Sequence, residues 1–234
     1  MKRSPPILDR LKGPIPPALR KKIRNIVRPS AKPRKIIFPE LCPRTKYEPD
    51  SIEIREARPE EYATLGRIWG DALVNEGYFP PDFIEWLQDA RARALEGTVF
   101  TAVYDKTTIL GGVMISTWPT PVNRVTNPEE AEVRILGIVP SARGSRIGYR
   151  LMQEAIALAW ECRKSAVVLW TDVNMLDARH LYERLGFFRT PERDWSNPAN
   201  QRFVAYRLEP QTAGRTFVGA GLGAAKENSS DGPS

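Results

Sequence analysis

The stretch AEVRILGIVPSARGSRIGYRLM, residues 131–152, decides the fold class of this chain. Its first half is an apolar run that ends at Pro140, which predicts a buried β-strand over residues 131–139. Its second half has an amphipathic pattern that predicts a helix over residues 147–162. The turn between them contains arginine and glycine but no acidic residue. A strand, a basic turn and a helix in this order predict a binding site for an anion.

The basic turn has the physical features of a phosphate-binding loop. A helix N-terminus leaves backbone N–H groups without acceptors, and the helix dipole favours an anion there. Glycine lets phosphate oxygens approach the main chain, and arginine adds positive charge. The turn lacks the GxGxxG and Gly-Lys-Ser/Thr patterns of the two better-known phosphate loops. The predicted phosphate ligands are Arg143, Gly144, Ser145, Arg146, Ile147, Gly148 and Tyr149.

The spacing of this turn resembles the acyl-CoA loop of the GNAT superfamily of N-acyltransferases, whose pattern is Gln/Arg-x-x-Gly-x-Gly/Ala. Arg143 matches the first position and Gly148 the last, whereas Arg146 stands where the family has glycine. The resemblance implies that the pyrophosphate of acetyl-CoA lies on this loop, and that Ile138 and Val139 pair with the amides of the pantetheine arm. Two roles stay open for Arg146, because its side chain either contacts a phosphate or crowds the loop.

A second segment, NMLDARHLYERLGF at residues 174–187, is similar to the GNAT signature Asn…Ala…Leu-Tyr-Glu-x-Leu-Gly-Phe. The spacing of Ala178 and Tyr182 places both on one helix face. The resemblance implies that Tyr182 protonates the departing thiolate, since a phenol holds its proton at neutral pH; a core tyrosine is the alternative. The resemblance also assigns Asn174 to pantetheine, although it lies four residues before Ala178, where many members have three.

Glu132 is the predicted base that removes a proton from the acceptor amine. It lies six residues before Ile138, so a regular strand would place both side chains on the same face of the sheet. Several GNAT enzymes have a catalytic glutamate at this position, which is the basis of the prediction. A surface carboxylate at the start of a strand is the alternative. Glu129 and Glu130 are interpreted as charges of the preceding loop.

Hydrophobic periodicity along the rest of the chain predicts the element order β-α-α-β-β-β-α-β-α-β-β. This is also the order of the GNAT fold, an α/β fold with a splayed, mixed central sheet flanked by helices. The resemblance covers residues 52–208 and is strongest over residues 132–195. Strands are predicted at residues 52–57, 98–104, 109–116, 131–139, 166–170, 187–190 and 202–208, and helices at 59–75, 81–95, 147–162 and 177–185.

Charge and proline content predict three parts of the chain. Residues 1–50 contain 14 Lys/Arg but only 4 Asp/Glu, together with ten of the 21 prolines, and are predicted to be a basic, disordered arm. Residues 51–209 are predicted to be the GNAT-like domain, and residues 210–234 a disordered tail. Contact of the arm with nucleic acid or an anionic surface is an alternative that we rank below a solvated arm.

The few cysteines and histidines exclude several classes of protein. The two cysteines, Cys42 and Cys162, offer no disulfide framework and favour the cytoplasm. Cys162 continues the apolar face of the predicted helix and is expected to be buried. The single histidine, His180, argues against a zinc site and is expected at the surface. The sequence has no run of 18 apolar residues, so no membrane span is expected.

Together these features predict an N-acetyltransferase that moves the acetyl group of acetyl-CoA directly to a primary amine in a ternary complex, without a metal. The acceptor, a small molecule or a protein amine, stays open, as does a homodimer. Either Trp118 or the pair Tyr78 and Phe79 is expected to line the acceptor pocket. The run PERDW at residues 191–195 predicts a turn held by Trp195. The alternative function is a degenerate module that binds acyl-CoA or serves as a scaffold.

Overall fold

A computed structural model describes residues 47–118, 127–197 and 200–210 of the chain. These residues form an eight-stranded sheet with helices on both faces. The predicted C-terminal tail, nearly all of the predicted basic arm and residues 119–126 of the predicted loop lie outside the described residues. Within the described ranges, every helix is too short or too polar to cross a membrane.

The observed elements follow the predicted order, with two differences: the second predicted helix is divided, and the sequence does not predict β7. A π-helical turn, Asp71–Asn75, extends the first helix. The strands are β1 (Ile52–Glu56), β2 (Thr98–Tyr104), β3 (Thr108–Ser116), β4 (Glu130–Ile138), β5 (Ala166–Asp172), β6 (Phe188–Arg189), β7 (Trp195–Ser196) and β8 (Arg202–Leu208). The helices are α1 (Tyr62–Gly70), α2 (Ile84–Gln88), α3 (Ala90–Ala94), α4 (Ile147–Glu161) and α5 (Leu176–Arg184).

Asp89 divides the helix that the sequence predicts over residues 81–95. Its backbone leaves the helical region, with φ −79° and ψ 62°. Its side chain accepts a hydrogen bond from the Ala92 N–H at 3.0 Å. Aspartate is a favoured N-cap because its carboxylate satisfies an amide that the first turn of a helix leaves free. The cap therefore ends α2 and begins α3.

The sheet has the strand order β1-β2-β3-β4-β5-β8-β6, with β7 beside β8. Its strand pairs are antiparallel except for β4 and β5, which are parallel. The β4–β5 pairing covers only residues 130–133 and 166–169. Beyond these pairs the two strands separate, and β5 continues beside β8 as far as Asp172. The predicted splayed, mixed sheet is therefore confirmed, and the separation opens a slot between β4 and β5.

Two hydrophobic clusters lie on opposite faces of the sheet. On one face, Ile147 and Leu151 of α4 belong to a cluster that includes Val113 of the sheet. On the other, Trp69 of α1 belongs to a cluster that includes Ile135 of the sheet. We refer to these as the α4 face, which α5 also covers, and the α1 face, which α2 and α3 also cover.

The prediction that Cys162 is buried is wrong. Cys162 is exposed and follows the last residue of α4. The buried stripe that begins at Ile147 continues through Leu151 and Ala155 to Ala159. Side chains four positions apart share a helix face, so this stripe does not reach position 162.

The interpretation of Glu130 as a loop charge is also wrong, whereas Glu129 is exposed as expected. Glu130 is the first residue of β4 and is buried. Its carboxylate accepts a hydrogen bond from Arg193 at 2.9 Å and another from Arg207. A buried carboxylate needs such partners because it has lost its hydration, and two guanidinium groups supply them here.

Candidate active site

The slot between β4 and β5 begins after the Val133–Leu169 pair. Residues 134–138 of β4 border it on one side and residues 170–172 of β5 on the other. β4 remains paired with β3 along its other edge, and among the described residues no strand pairs with β4 along the edge toward the slot. A strand edge of this kind binds an extended chain that has amide groups of its own.

The basic turn that follows β4 contains two residues with left-handed backbone. Gly144 has φ +83° and Arg146 has φ +59°, while Arg143 is extended. Arg146 is the N-cap of α4, so the turn leads directly into the first amides of that helix. Those amides have no acceptor within the helix, and the helix dipole favours an anion near them. The turn therefore has the geometry of the predicted anion site.

Gly148 allows α4 to begin close to the slot. A β-carbon at this position would lie 3.0 Å from Ile138 Cδ1 and 3.3 Å from Leu181 Cδ2. Both distances are shorter than ordinary carbon–carbon contacts. Glycine at position 148 thus lets β4, α4 and α5 meet beside the predicted anion site.

Arg146 adopts the conformation for which glycine is usually required. A left-handed backbone costs an L-residue roughly 1–2 kcal/mol. The residue is exposed, so its side chain does not pack into the protein. Arg146 therefore reproduces the turn of the missing glycine at some cost in stability.

Arg143 is paired with a residue that the sequence analysis does not identify. Its guanidinium donates two hydrogen bonds to the Glu76 carboxylate, one of them from Nη1 to Oε2 at 2.9 Å. Glu76 follows the π-helical turn at the end of α1, 67 positions before Arg143. No local pattern indicates partners so far apart in the chain. The contact of Arg143 with phosphate stays a prediction.

The predicted placement of Glu132 and Ile138 on the same face of β4 is wrong. The pairing of β4 with β3 shifts by one residue at Arg134, which forms a β-bulge. An extra residue in one strand changes which side chains point to each face. Glu132 pairs with Ser116 and lies on the α1 face, whereas Ile138 packs against the cluster of the α4 face.

Glu132 is a buried carboxylate with a cationic neighbour. It is 4% exposed, and its Oε1 lies 3.6 Å from Nη1 of Arg134. The Arg134 guanidinium lies 5.5 Å from the ring centroid of Trp86, and that of Arg93 lies 4.2 Å from it. Burial is the main cause that lowers the pKa of Arg93. The alternative interpretation of Glu132 as a surface carboxylate is therefore excluded.

Tyr182 is buried on the opposite, α4 face of the sheet. Its ring centroid lies 6.0 Å from that of Phe187 and 5.9 Å from that of Tyr206. Burial raises the pKa of the Tyr182 phenol well above its ordinary value, so the phenol keeps its proton at neutral pH. Ala178 packs against the same cluster, which confirms that the two residues share a helix face.

Asp172 organises the turn between β5 and α5. Its buried carboxylate accepts hydrogen bonds from the Asn174 N–H and from the Gln201 side chain, each at 2.8 Å. The same Gln201 side chain donates to the backbone oxygen of Tyr78. Asn174 is exposed in this turn, and its contact with a cofactor stays a prediction. The sequence analysis misses Asp172 and Gln201 because their contacts join distant parts of the chain.

Aromatic residues cluster on the α1 face, on the side of β5 that pairs with β8. The ring of Phe203, opposite Asp172 in the sheet, lies 4.3 Å from that of Trp195 in a stacked arrangement and 5.7 Å from that of Phe79. Trp195 therefore holds the predicted PERDW turn against β8. Burial is the main cause that raises the pKa of the half-buried Tyr78. Trp118 is 44% exposed and precedes the undescribed residues 119–126.

Two reactive side chains lie at the surface. Cys162 is exposed at the end of α4, contrary to the prediction. His180 is exposed on α5, as the sequence predicts. In the part of the chain that the structure describes, no group of three or more His, Cys, Asp or Glu residues could hold a metal ion.

Comparison with known sequences gives one family and one curated relative. The model of the acetyltransferase (GNAT) family matches residues 54–187. Mycothiol acetyltransferase of Pseudarthrobacter chlorophenolicus is 38% identical over 133 residues. This alignment covers 57% of the chain and 36% of the relative, so the chain spans about a third of the length of that protein.

Solved structures share the fold at low sequence identity. YncA of Salmonella typhimurium, solved with its cofactor acetyl-CoA, is 18% identical with a TM-score of 0.53, over 70% of this chain and 96% of that one. The PaiA N-acetyltransferase of Thermoplasma acidophilum, solved with coenzyme A, is 17% identical with a TM-score of 0.52, over 68% of this chain and 99% of that one. These similarities support the fold alone.

Replacing Arg146 with glycine should raise the free energy of unfolding by about 0.5–1 kcal/mol, because glycine relieves the backbone strain but adds entropy to the unfolded chain. Denaturant unfolding measures the change. Arg163→Gly is the matched control, since Arg163 also has a left-handed backbone, with φ +55°, but follows α4 at its other end. If Arg163→Gly stabilises the protein and Arg146→Gly does not, contacts of the Arg146 side chain must offset its strain.

Proposed function

This chain belongs to the acetyltransferase (GNAT) family, and we propose that it transfers the acetyl group of acetyl-CoA to a primary amine. The observation that carries the proposal is the slot between β4 and β5, which ends beside the first amides of α4. An extended pantetheine arm fits a free strand edge, and a pyrophosphate fits a helix N-terminus. The slot and the turn thus suit the two chemically different parts of acetyl-CoA.

In this proposal, the backbone of β4 and of the basic turn holds the cofactor. Ile138 presents main-chain groups to the amides of pantetheine. Val139 lies beside them, but its N–H donates to the Leu110 oxygen at 2.9 Å and its carbonyl accepts from the Ala142 N–H at 3.0 Å. The pyrophosphate is held by N–H groups of residues 144–149, with positive charge from Arg146. The exposed Asn174 side chain contacts pantetheine from the turn after β5. The cofactor-binding residues proposed are Ile138, Val139, Gly144, Ser145, Arg146, Ile147, Gly148, Tyr149 and Asn174.

We propose that Glu132 and Tyr182 act from opposite faces of the sheet. Glu132, on the α1 face, accepts the proton of the acceptor amine as the amine attacks the thioester carbonyl. Tyr182, on the α4 face, donates its proton to the sulfur as the carbon–sulfur bond breaks. Its phenol is protonated at neutral pH, as a proton donor must be at the start of the reaction. The bound thioester supplies the activated acetyl group.

Direct transfer in a ternary complex is the proposed route. A covalent enzyme intermediate needs a nucleophile near the thioester, with a base to activate it. Cys162 is exposed beyond the end of α4, away from its buried stripe, and His180 is exposed on α5. Neither side chain packs with the residues that border the slot, so the attacking group is assigned to the acceptor itself.

We place the acceptor on the α1 face, between Glu132 on β4 and the aromatic cluster beside β5 and β8. Phe79 and Trp195 would contact its apolar part, and the buried carboxylates Glu132 and Asp172 suit a group that carries positive charge. The name of the Pseudarthrobacter relative makes mycothiol-related amines worth including in a screen. The cytoplasmic location, a homodimer and a role of residues 1–50 in binding nucleic acid stay predictions.

A module that binds acyl-CoA without catalysis, or only serves as a scaffold, is the second candidate function. Arg146 at the usual glycine position is the observation that favours it, because a long side chain at the turn reduces the space for a phosphate. A scaffold should not bind acetyl-CoA. A module that only binds acyl-CoA should bind it without turnover, and the enzyme should bind it and transfer the acetyl group.

Calorimetric titration of acetyl-CoA into the full chain tests the proposed function. We expect a dissociation constant in the micromolar range, as is usual for enzyme substrates. ATP, which has phosphates but no pantetheine arm, should bind at least about tenfold more weakly, because β4 would then be left without a partner. Absence of acetyl-CoA binding by the folded protein would instead favour the scaffold.

Replacing Tyr182 with phenylalanine should lower kcat by about 10- to 100-fold, because the thiolate would depart without a proton donor. The dissociation constant of acetyl-CoA should change by less than about threefold, since the ring remains in place. Steady-state kinetics and calorimetry measure the two effects. Tyr62→Phe, which changes a half-buried tyrosine on α1, is the control. An unchanged kcat in Tyr182→Phe would remove the residue from the mechanism.

Replacing Glu132 with glutamine should lower kcat/KM for an accepted amine by about 100-fold at low pH. The loss should become smaller as the pH rises, because more of the amine is then neutral without help from a base. Glu129→Gln, in the exposed loop before β4, is the matched control. A pH profile of Glu132→Gln that runs parallel to that of the wild type would contradict the assignment of Glu132 as the base.

A further inference from the structure

The ion pair between Glu76 and Arg143 joins the basic turn to the segment that follows α1. The Arg143 side chain is 38% exposed and that of Glu76 is 19% exposed. Both oxygens of the carboxylate accept a hydrogen bond from the guanidinium. Arginine and carboxylate groups joined by two parallel hydrogen bonds are held in a defined orientation, unlike most ion pairs at a surface.

The segment 76–79 is also fastened at the other side of the slot. Gln201 donates hydrogen bonds to the Tyr78 backbone oxygen and to the carboxylate of Asp172, the last residue of β5. The Phe79 ring packs against that of Phe203 on β8. Arg143 lies just beyond the end of β4 and Asp172 at the end of β5. The segment 76–79 therefore reaches across the end where the two strands are apart.

On the premise of the function proposed above, we infer that Arg143 positions the acceptor side of the site and does not bind the phosphates of the cofactor. It acts through Glu76, which it holds in place, so that the segment 76–79 stays across the open end of the slot with Tyr78 and Phe79 beside the acceptor. Glu76 and Arg143 form a brace between the two substrate sites. Phosphate binding is left to the amides of residues 144–149 and to Arg146.

The state of the guanidinium supports this assignment. Both terminal nitrogens of Arg143 donate to Glu76, so a phosphate that took the same edge of the guanidinium would displace both hydrogen bonds. The half-buried Glu76 carboxylate would then lose its cationic partner, and charged hydrogen bonds of this kind are the costly ones to break. A brace keeps these contacts, and it accounts for an arginine that faces α1 rather than the N-terminus of α4.

Hydrogen exchange of the amides of residues 76–79, together with calorimetric titration of acetyl-CoA, tests the inference in the full chain. Glu76→Gln and Arg143→Met should each speed exchange of these amides by about tenfold, because each removes the charged pair that holds the segment. Both variants should bind acetyl-CoA within about threefold of the wild type, since neither removes a phosphate ligand. The reversed pair Glu76→Arg with Arg143→Glu should restore slow exchange.

The control is Arg55→Met, which breaks another doubly hydrogen-bonded pair, Arg55 with Glu61, outside the slot. It should leave the exchange of residues 76–79 unchanged. A loss of acetyl-CoA affinity of about tenfold or more in Arg143→Met would overturn the inference, because removal of a direct phosphate contact weakens binding by about this factor. Tighter binding of acetyl-CoA in Glu76→Gln would also overturn it, since it would mean that Glu76 withholds Arg143 from the phosphates.

Exchange that stays fast in the reversed pair would likewise overturn the inference. Loss of the ion pair would then not be the reason why residues 76–79 exchange faster in the single variants. Failure of the proposed function looks different from any of these results. In that case the wild-type chain itself does not bind acetyl-CoA, while the exchange rates of the variants still decide whether the brace exists.

Discussion

The candidate site depends on the separation of two neighbouring strands, β4 and β5, which share only four residue pairs. Beyond Val133 and Leu169, the facing edges of β4 and β5 have main-chain donors and acceptors that the sheet does not satisfy. Polar backbone groups inside a protein require partners, and in the proposed function an extended ligand supplies them. The same separation determines where α4 and the basic turn before it lie. α4 begins tightly packed at Gly148.

The bulge at Arg134 determines how the two faces of the slot are used. In a regular strand, Glu132 would share the α4 face with Ile138; one extra residue moves it to the α1 face, where the aromatic residues lie. Tyr182 remains on the α4 face. The proposed proton acceptor and the proposed proton donor therefore lie on opposite faces of the sheet.

Much of the fold is predictable because its signals are local. The alternation of Ile52 and Ile54, the apolar stripe from Ile147 and the basic turn each depend on residues close in the chain, and the structure confirms the elements they predict. The bulge is different, because it depends on how β4 pairs with β3. The cap at Asp89 is a local feature that the long apolar pattern conceals.

The site itself is less predictable than the fold. The Glu76–Arg143 pair and the contacts of Asp172 with Gln201 join segments that only the folded chain brings together, and charged residues at such spacings have many other partners available. The burial of Glu130 belongs to the same class, since its two arginines come from the far end of the domain. Sequence motifs predict the cofactor side of the site because the proposed phosphate ligands belong to one continuous turn.

The ion pairs of Glu130 have a mechanical consequence. They lie at the closed end of the slot, where Ser165 N–H also donates to the Glu129 backbone oxygen at 2.8 Å. The strands β1–β4 and the strands β5–β8 are therefore joined by direct contacts at the closed end of the slot, whereas at the open end the segment 76–79 connects them. Widening of the slot would strain the ion pairs of Glu130 at one end and the contacts of the segment 76–79 at the other, so the width of the slot depends on charged groups at both of its ends.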